Sequence, residues 1–177
     1  MSKIDFKISL ALFLVFAGAL MRILPHPWNF TPIAALALFG GTYLNKKYAL
    51  LVPILAMIVS DFFIGFYDWR LMSVVYSCFL VFGLIGLFIR KHKNLATIIG
   101  GTLASSVIFY LVTNFAVWAF SNWYQHNWQG LIYCYGLALP FFKYTLLGDL
   151  FYVGVMFSIY EGVLVLSKNR RLAKNPV

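Results

Sequence analysis

Apolar stretches close to the length that a helix needs to cross a bilayer, about 20 residues, recur along this whole chain with only short polar breaks between them. One soluble core cannot absorb them. Of 177 residues, 62% are hydrophobic and 11% charged, well away from the balance of soluble domains. The expected fold is all-α, a polytopic membrane bundle forming a single integral membrane domain over 1–177. Its six spans are expected at about 7–24, 31–44, 48–66, 70–89, 95–119 and 140–166. The segment 130–139 is too short to cross and is expected to lie at the outer surface or to begin the last helix. Little chain is left for a soluble catalytic or ATP-binding domain. P-loop, GxSxG, HExxH and paired-cysteine spacings are absent from the sequence. No enzyme activity, cofactor or metal is therefore expected, and any energy for transport has to come from a gradient or a partner.

A net charge of +9 would suggest nucleic acid in a soluble protein, but here the basic residues flank apolar runs and no nucleic-acid partner is expected. With six spans, Lys3, Lys7, Lys46, Lys47, Arg90, Lys91, Lys93, Lys168, Arg170, Arg171 and Lys174 share the face of the termini. The positive-inside rule then makes both termini cytoplasmic. Arg22, Arg70 and Lys143 sit at the opposite ends of helices. The start of the chain also resembles a cleavable signal peptide, with Lys3, Lys7 and a small-residue stretch at 17–19. The apolar run continues past that point and ends at a charge, so retention as a first span is expected. The second span is short and follows Pro32, which suits a first helical turn, and tilt or partial insertion is expected. Pro53 should kink the third span, and Gly100, Gly101, Ala104 and Ser105 give the fifth a close-packing face. Cys78 and Cys134 fall at different depths, so a structural disulfide is not expected.

The outer end concentrates polar and aromatic chemistry. All five tryptophans, Trp28, Trp69, Trp118, Trp123 and Trp128, map there, whereas an aromatic belt normally occupies both interfaces. The loop 121–130 is rich in amides and aromatics and could act as a lid. Asp61 lies about one turn below the outer end of span three, Asn114 a similar distance down span five, and Asp149 roughly 13 Å along span six. Ionisable residues inside spans cost about 2.5 to 3.5 kcal/mol on insertion scales, so they pair, line cavities or serve function. Two readings remain open. Arg22 with Asp61 or Asp149 forms a structural ion-pair network, or the same residues build a ligand pocket. Ser106, Tyr110, Asn114 and Trp118 follow one another at i, i+4 steps, which places them on one stripe facing protein or cavity. Glu161 is expected to meet a basic flank or to serve a partner, Cys78 to be a core residue, and His26 to be a loop histidine with ligand contact as the alternative.

The stretches "RILPHPWNFTPIAALALFGG", "LVPILAMIVSDFFIG" and "LPFFKYTLLGDLFY" resemble a family of small bacterial integral membrane proteins of uncharacterised function, DUF6580-like and described as transport proteins. That family is grouped with the substrate-binding S components of energy-coupling factor (ECF) transporters. The matching residues are Arg22, Pro25, His26, Pro27, Asn29, Phe30, Thr31, Pro32, Gly40, Gly41, Ser60, Asp61, Gly148 and Asp149. The resemblance implies a six-helix bundle in the bacterial inner membrane that takes a small nutrient from outside, with the first outer loop closing over it. It also implies a membrane coupling protein with two ATPases as partners. S components often dock that protein through an alanine-x-x-x-alanine motif in the first helix. Here Ser9, Ala11, Ala17, Gly18 and Ala19 lack that spacing.

The sequence thus leads to an outward-facing site for a vitamin or similar ring-containing solute. Trp28, Trp118, Trp123 and Trp128 would stack, Asn29 and Asn114 hydrogen-bond, and Arg22, His26, Asp61 and Asp149 add charge or polar contacts. The alternatives are a non-transporting scaffold or assembly factor of the envelope, and an intramembrane enzyme using Asp61, Asp149 or His26 as acid and base.

Overall fold

The computed structural model describes residues 3–24, 29–44 and 46–174. Among them the chain is all-helical, with α1 Lys3–Ile23, α2 Ile33–Tyr43, α3 Lys46–Ile64, α4 Trp69–Lys91, α5 Leu95–Phe120 and α6 Trp128–Lys174. Three of these, α4, α5 and α6, are long and apolar enough to cross a membrane by length and composition. Large apolar side chains such as Phe13, Phe16, Phe62 and Phe88 stand on the outside of the bundle, an arrangement that hydrocarbon tolerates and water does not.

The short second run behaves differently from its neighbours. Its 11 residues rise only about 16 Å, and Ala34 to Thr42 are all buried. A helix that is apolar all round needs a partner on every side. Here α1, α3, α4, α5 and α6 all pack on α2, so it is the axis of the bundle.

Glycines set how closely α4 can approach that axis. A Cβ on Gly41 would collide with the Gly83 carbonyl and lie 2.8 Å from Gly86 Cα, and one on Gly86 would strike the Leu38 carbonyl. The two backbones touch there, and Thr42 Oγ1 crosses the gap to the Gly86 carbonyl at 3.2 Å while also bonding the Leu38 carbonyl. Gly101 of α5 likewise packs against Ile85 and Ile89 of α4, whereas Gly100 faces open space. Pro53 lies inside α3 and packs on Gly40. Cys78 and Cys134 are both buried and free.

Local signals fix the helix ends. Asp68 caps α4 by accepting from the backbone of Arg70 and Leu71, and Asn94 with Thr97 forms a reciprocal capping box on α5. The segment 130–139 is part of α6, which begins at Trp128 and runs for 47 residues through Pro140. Its start tucks so tightly under the preceding loop that any Cβ on Gly130 would overlap the Gln125 carbonyl.

At the end formed by the α2–α3 and α4–α5 turns, Glu161 of α6 accepts from Tyr43 Oη at 2.6 Å and pairs with Lys93. Lys93 also sits over the Tyr43 ring, and that ring meets Tyr160 at 4.1 Å, tilted by 42°. Arg90 donates to the Leu44 carbonyl at 3.0 Å. Glu161 thus meets a basic flank as expected, and the bundle is closed at this end.

Candidate functional site

The opposite end is open. The end of α1, the loop before α2 and the end of α3 enclose, with α4, α5 and α6, a cleft of about 520 Å³. Its polar lining comes from Arg22, Asn29, Thr31, Tyr67 and Thr145, and its apolar walls include Met57, Val75, Phe79 and Phe109. A side pocket of about 130 Å³ adjoins it through the shared residues Asn29, Phe109 and Thr145 and adds Tyr110, Thr113 and Asn114.

The loop before α2 is placed by two devices. Asn29 adopts a left-handed φ of 61°, a conformation asparagine tolerates better than most residues. Phe30 lies between the rings of Phe151 and Tyr152, at 5.7 and 5.4 Å, with its backbone on Gly148. The loop is therefore seated on α6, and Asn29 lines both cavities. His26 and Trp28 lie outside the described residues.

Beside the cleft, Arg22 Nη2 meets Asp61 Oδ1 at 2.6 Å, with side-chain exposures of only 13% and 1%. Nη1 bonds Ser60 Oγ and reaches the Met57 carbonyl at 3.4 Å, and Tyr76 Oη donates to Asp61 Oδ2 at 2.6 Å. Three helices, α1, α3 and α4, are tied by this knot. Desolvating two charges is costly, and the additional bonds to each partner offset part of that cost. Tyr67 follows the Gly65 turn, and its phenol is pushed up to about 12, first by burial and then by the Asp61 charge, against which Arg22 acts. It is a neutral hydroxyl at the cleft wall. At the rim, Arg70 pairs with Asp68 at 2.9 Å and rests over the Phe120 ring.

Asp149 lies elsewhere. It is 3% exposed, lines neither cavity, and accepts from Ser106 Oγ at 2.7 Å. Among the described residues it has no ion-pair partner. The stripe on α5 turns toward α6: Ser106 bonds Asp149, Tyr110 Oη donates to the Tyr135 carbonyl at 2.7 Å, and Asn114 reaches the side pocket. Trp118 is spent on the loop, its Nε1 donating to the Gln125 carbonyl at 3.0 Å with the His126 ring edge-on.

Residues 2–172 match DUF6580, a family of unknown function. The chain belongs to this family. No curated protein and no solved structure matches it.

Of the residues singled out from the sequence, this DUF6580 chain brings Arg22, Asn29 and Asn114 to the cavities, with Asp61 directly behind Arg22. Trp123 and Trp128 stand 80% and 78% exposed on the surface, and neither lines the cleft. Its walls are instead Tyr67, Phe79, Phe109 and Thr145, most of them within apolar helical runs. A position in such a run gives no sign of whether it faces lipid, core or cavity. Tyr76 carried a better signal, a hydroxyl within a helix that also bears Ser73 and Ser77. No group of three or more His, Cys, Asp or Glu among the described residues could hold a metal.

Proposed function

We propose that this DUF6580 chain is a transport protein, similar in design to an S component, that captures a small ring-containing nutrient at an outward-facing cleft for uptake. The supporting observation is the cleft itself. At about 520 Å³ it falls in the range of small-molecule sites, and it has the usual make-up of apolar walls with a few fixed polar groups. Met57, Val75, Phe79 and Phe109 offer ring-sized apolar surface, while Asn29, Thr31, Tyr67 and Thr145 offer hydrogen bonds.

In this reading the chain crosses a bacterial inner membrane six times with both termini in the cytoplasm, the 11 residues of α2 covering only part of their crossing and being shielded from lipid by their neighbours. The basic cluster at Arg90, Lys91 and Lys93 marks the inner side, and the cleft opens outward. A coupling protein with ATPases would supply energy. The first outer loop, from which Asn29 and Thr31 line the cleft, would help to close over the solute.

Native mass spectrometry of the full chain released from its own membrane tests this. A small molecule bound in 1:1 ratio, and lost when Phe109→Trp fills the cleft, is the expected result. An empty protein that also shows no thermal shift with vitamins and nucleobase-like compounds would sink the proposal. A second reading, a membrane scaffold of the envelope, is favoured by the Arg22–Asp61 knot, whose groups are bonded to one another. It expects Phe109→Trp to leave the phenotype of the cell unchanged.

A further inference from the structure

The side pocket has a one-sided chemistry. Thr113 Oγ1 donates to the Phe109 carbonyl at 2.6 Å and Thr145 Oγ1 to the Phe141 carbonyl at 3.1 Å. Tyr110 Oη donates to the Tyr135 carbonyl, and Asn114 Nδ2 to the Tyr110 carbonyl, both at 2.7 Å. Each hydroxyl has a single hydrogen, so these three are committed, and what each can still offer a guest is oxygen lone pairs. Asn114 retains its amide oxygen and one N–H, and Asn29 at the junction with the cleft adds an amide oxygen and two N–H, so five oxygens face three N–H groups. Acceptors therefore outnumber donors on the polar side of the pocket.

The remaining walls favour the same kind of guest. Phe109, Tyr110, Phe141 and Phe142 line the pocket, with Tyr110 and Phe142 rings 4.7 Å apart. Aromatic faces carry negative charge density and attract N–H groups and cations. Among the described residues no lysine or arginine lines it. Arg22 lines only the larger cleft, where its charge is already matched by Asp61. A carboxylate or phosphate placed in the side pocket would find only the amide N–H groups of Asn29 and Asn114 among lone pairs and ring faces, with no cation, after losing its water.

We infer that the side pocket receives an amino group, with its N–H bonds directed at the oxygens of Tyr110, Thr113, Asn114 and Thr145 while the ring that carries it lies in the adjoining cleft. This rests on the cleft being the solute site and names the head group that the solute must carry. The volume of about 130 Å³ suits such a head group and excludes a bulky one.

Three probes with one ring and different heads test it: benzylamine, benzyl alcohol and benzoate, titrated into the purified full chain in detergent. Benzylamine is expected to bind at about millimolar strength, reasonable for so small a fragment, and at least about tenfold tighter than benzoate. Thr113→Val and Thr145→Val keep the side-chain shape and remove the hydroxyl. Each is expected to weaken benzylamine about threefold to tenfold while leaving the unliganded melting temperature nearly unchanged. Benzoate binding as well as benzylamine overturns the assignment. So does benzylamine binding that both valine variants leave intact, or no binding by any of the three. A native solute without an amino group would overturn this inference alone, whereas an empty native protein overturns the cleft reading beneath it.

Discussion

Asp61 and Asp149 are both buried carboxyl groups near the same end of one bundle, yet their surroundings share almost nothing. Asp61 has a guanidinium on one oxygen and a phenol on the other, and links α1, α3 and α4. Asp149 has one serine hydroxyl from α5. The difference shows that burial alone does not assign a role. A carboxylate whose partners come from two other helices holds those helices in register, and removing it leaves an unmatched guanidinium. One held by a single hydroxyl contributes little cross-linking, so its loss should be felt little by the fold.

The largest expected effect breaks the first of these. Asp61→Ala leaves Arg22 buried without its counter-ion, at a cost of about 3 to 5 kcal/mol, visible as a large fall in the thermal midpoint of the detergent-solubilised protein. The double replacement Arg22→Met with Asp61→Leu should recover most of that loss. If it is no more stable than Asp61→Ala, the cost does not come from an orphaned charge. Next, Tyr76→Phe deletes one hydrogen bond to a charged group and should cost about 1.5 to 3 kcal/mol, measured by the same unfolding. Asp149→Asn retains an acceptor for Ser106 and should shift stability by less than about 1 kcal/mol. An effect as large as that of Asp61→Ala would erase the contrast.

The smallest effect lies at the exposed rim, where the side-chain hydrogen bond from Arg70 holds the Asp68 carboxyl down at about 2. Because the folded value is depressed, the stabilisation it provides is present above the ordinary carboxylate range. It fades as pH falls from about 4 toward 2. Asp68→Asn keeps a cap on α4 and should flatten that part of the pH–stability curve. A curve that keeps its slope would mean that other carboxylates govern it.

The same contrast explains what could be read from the sequence. Run lengths gave away the helices, since about 20 apolar residues in a row have few alternatives. Arg22 with Asp61 was one of two pairings that the charges allowed, because few cations are available at that end. The inner position of α2 was harder to see: "IAALALFGG" would look the same facing lipid or facing five helices, and only Gly41 against Gly86 decides it. Trp123 and Trp128 line neither cavity, and their amphipathic rings suit an interface as well as a ligand. Phe79 and Phe109 were invisible as cavity walls because a phenylalanine in an apolar run carries no directional information.

The brevity of α2 has a consequence for how the cleft could be altered. The axial helix starts at Ile33, while the helices around it continue past that level, so the cleft is in effect a length mismatch between a central post and its surrounding staves. Its depth is then a matter of chain length more than of side-chain identity. One additional helical turn before Ile33 would raise the floor by about 5 Å and displace Asn29 and Thr31 of the preceding loop, while the walls from α3, α4, α5 and α6 keep their residues, and one turn fewer would deepen the vessel by the same amount.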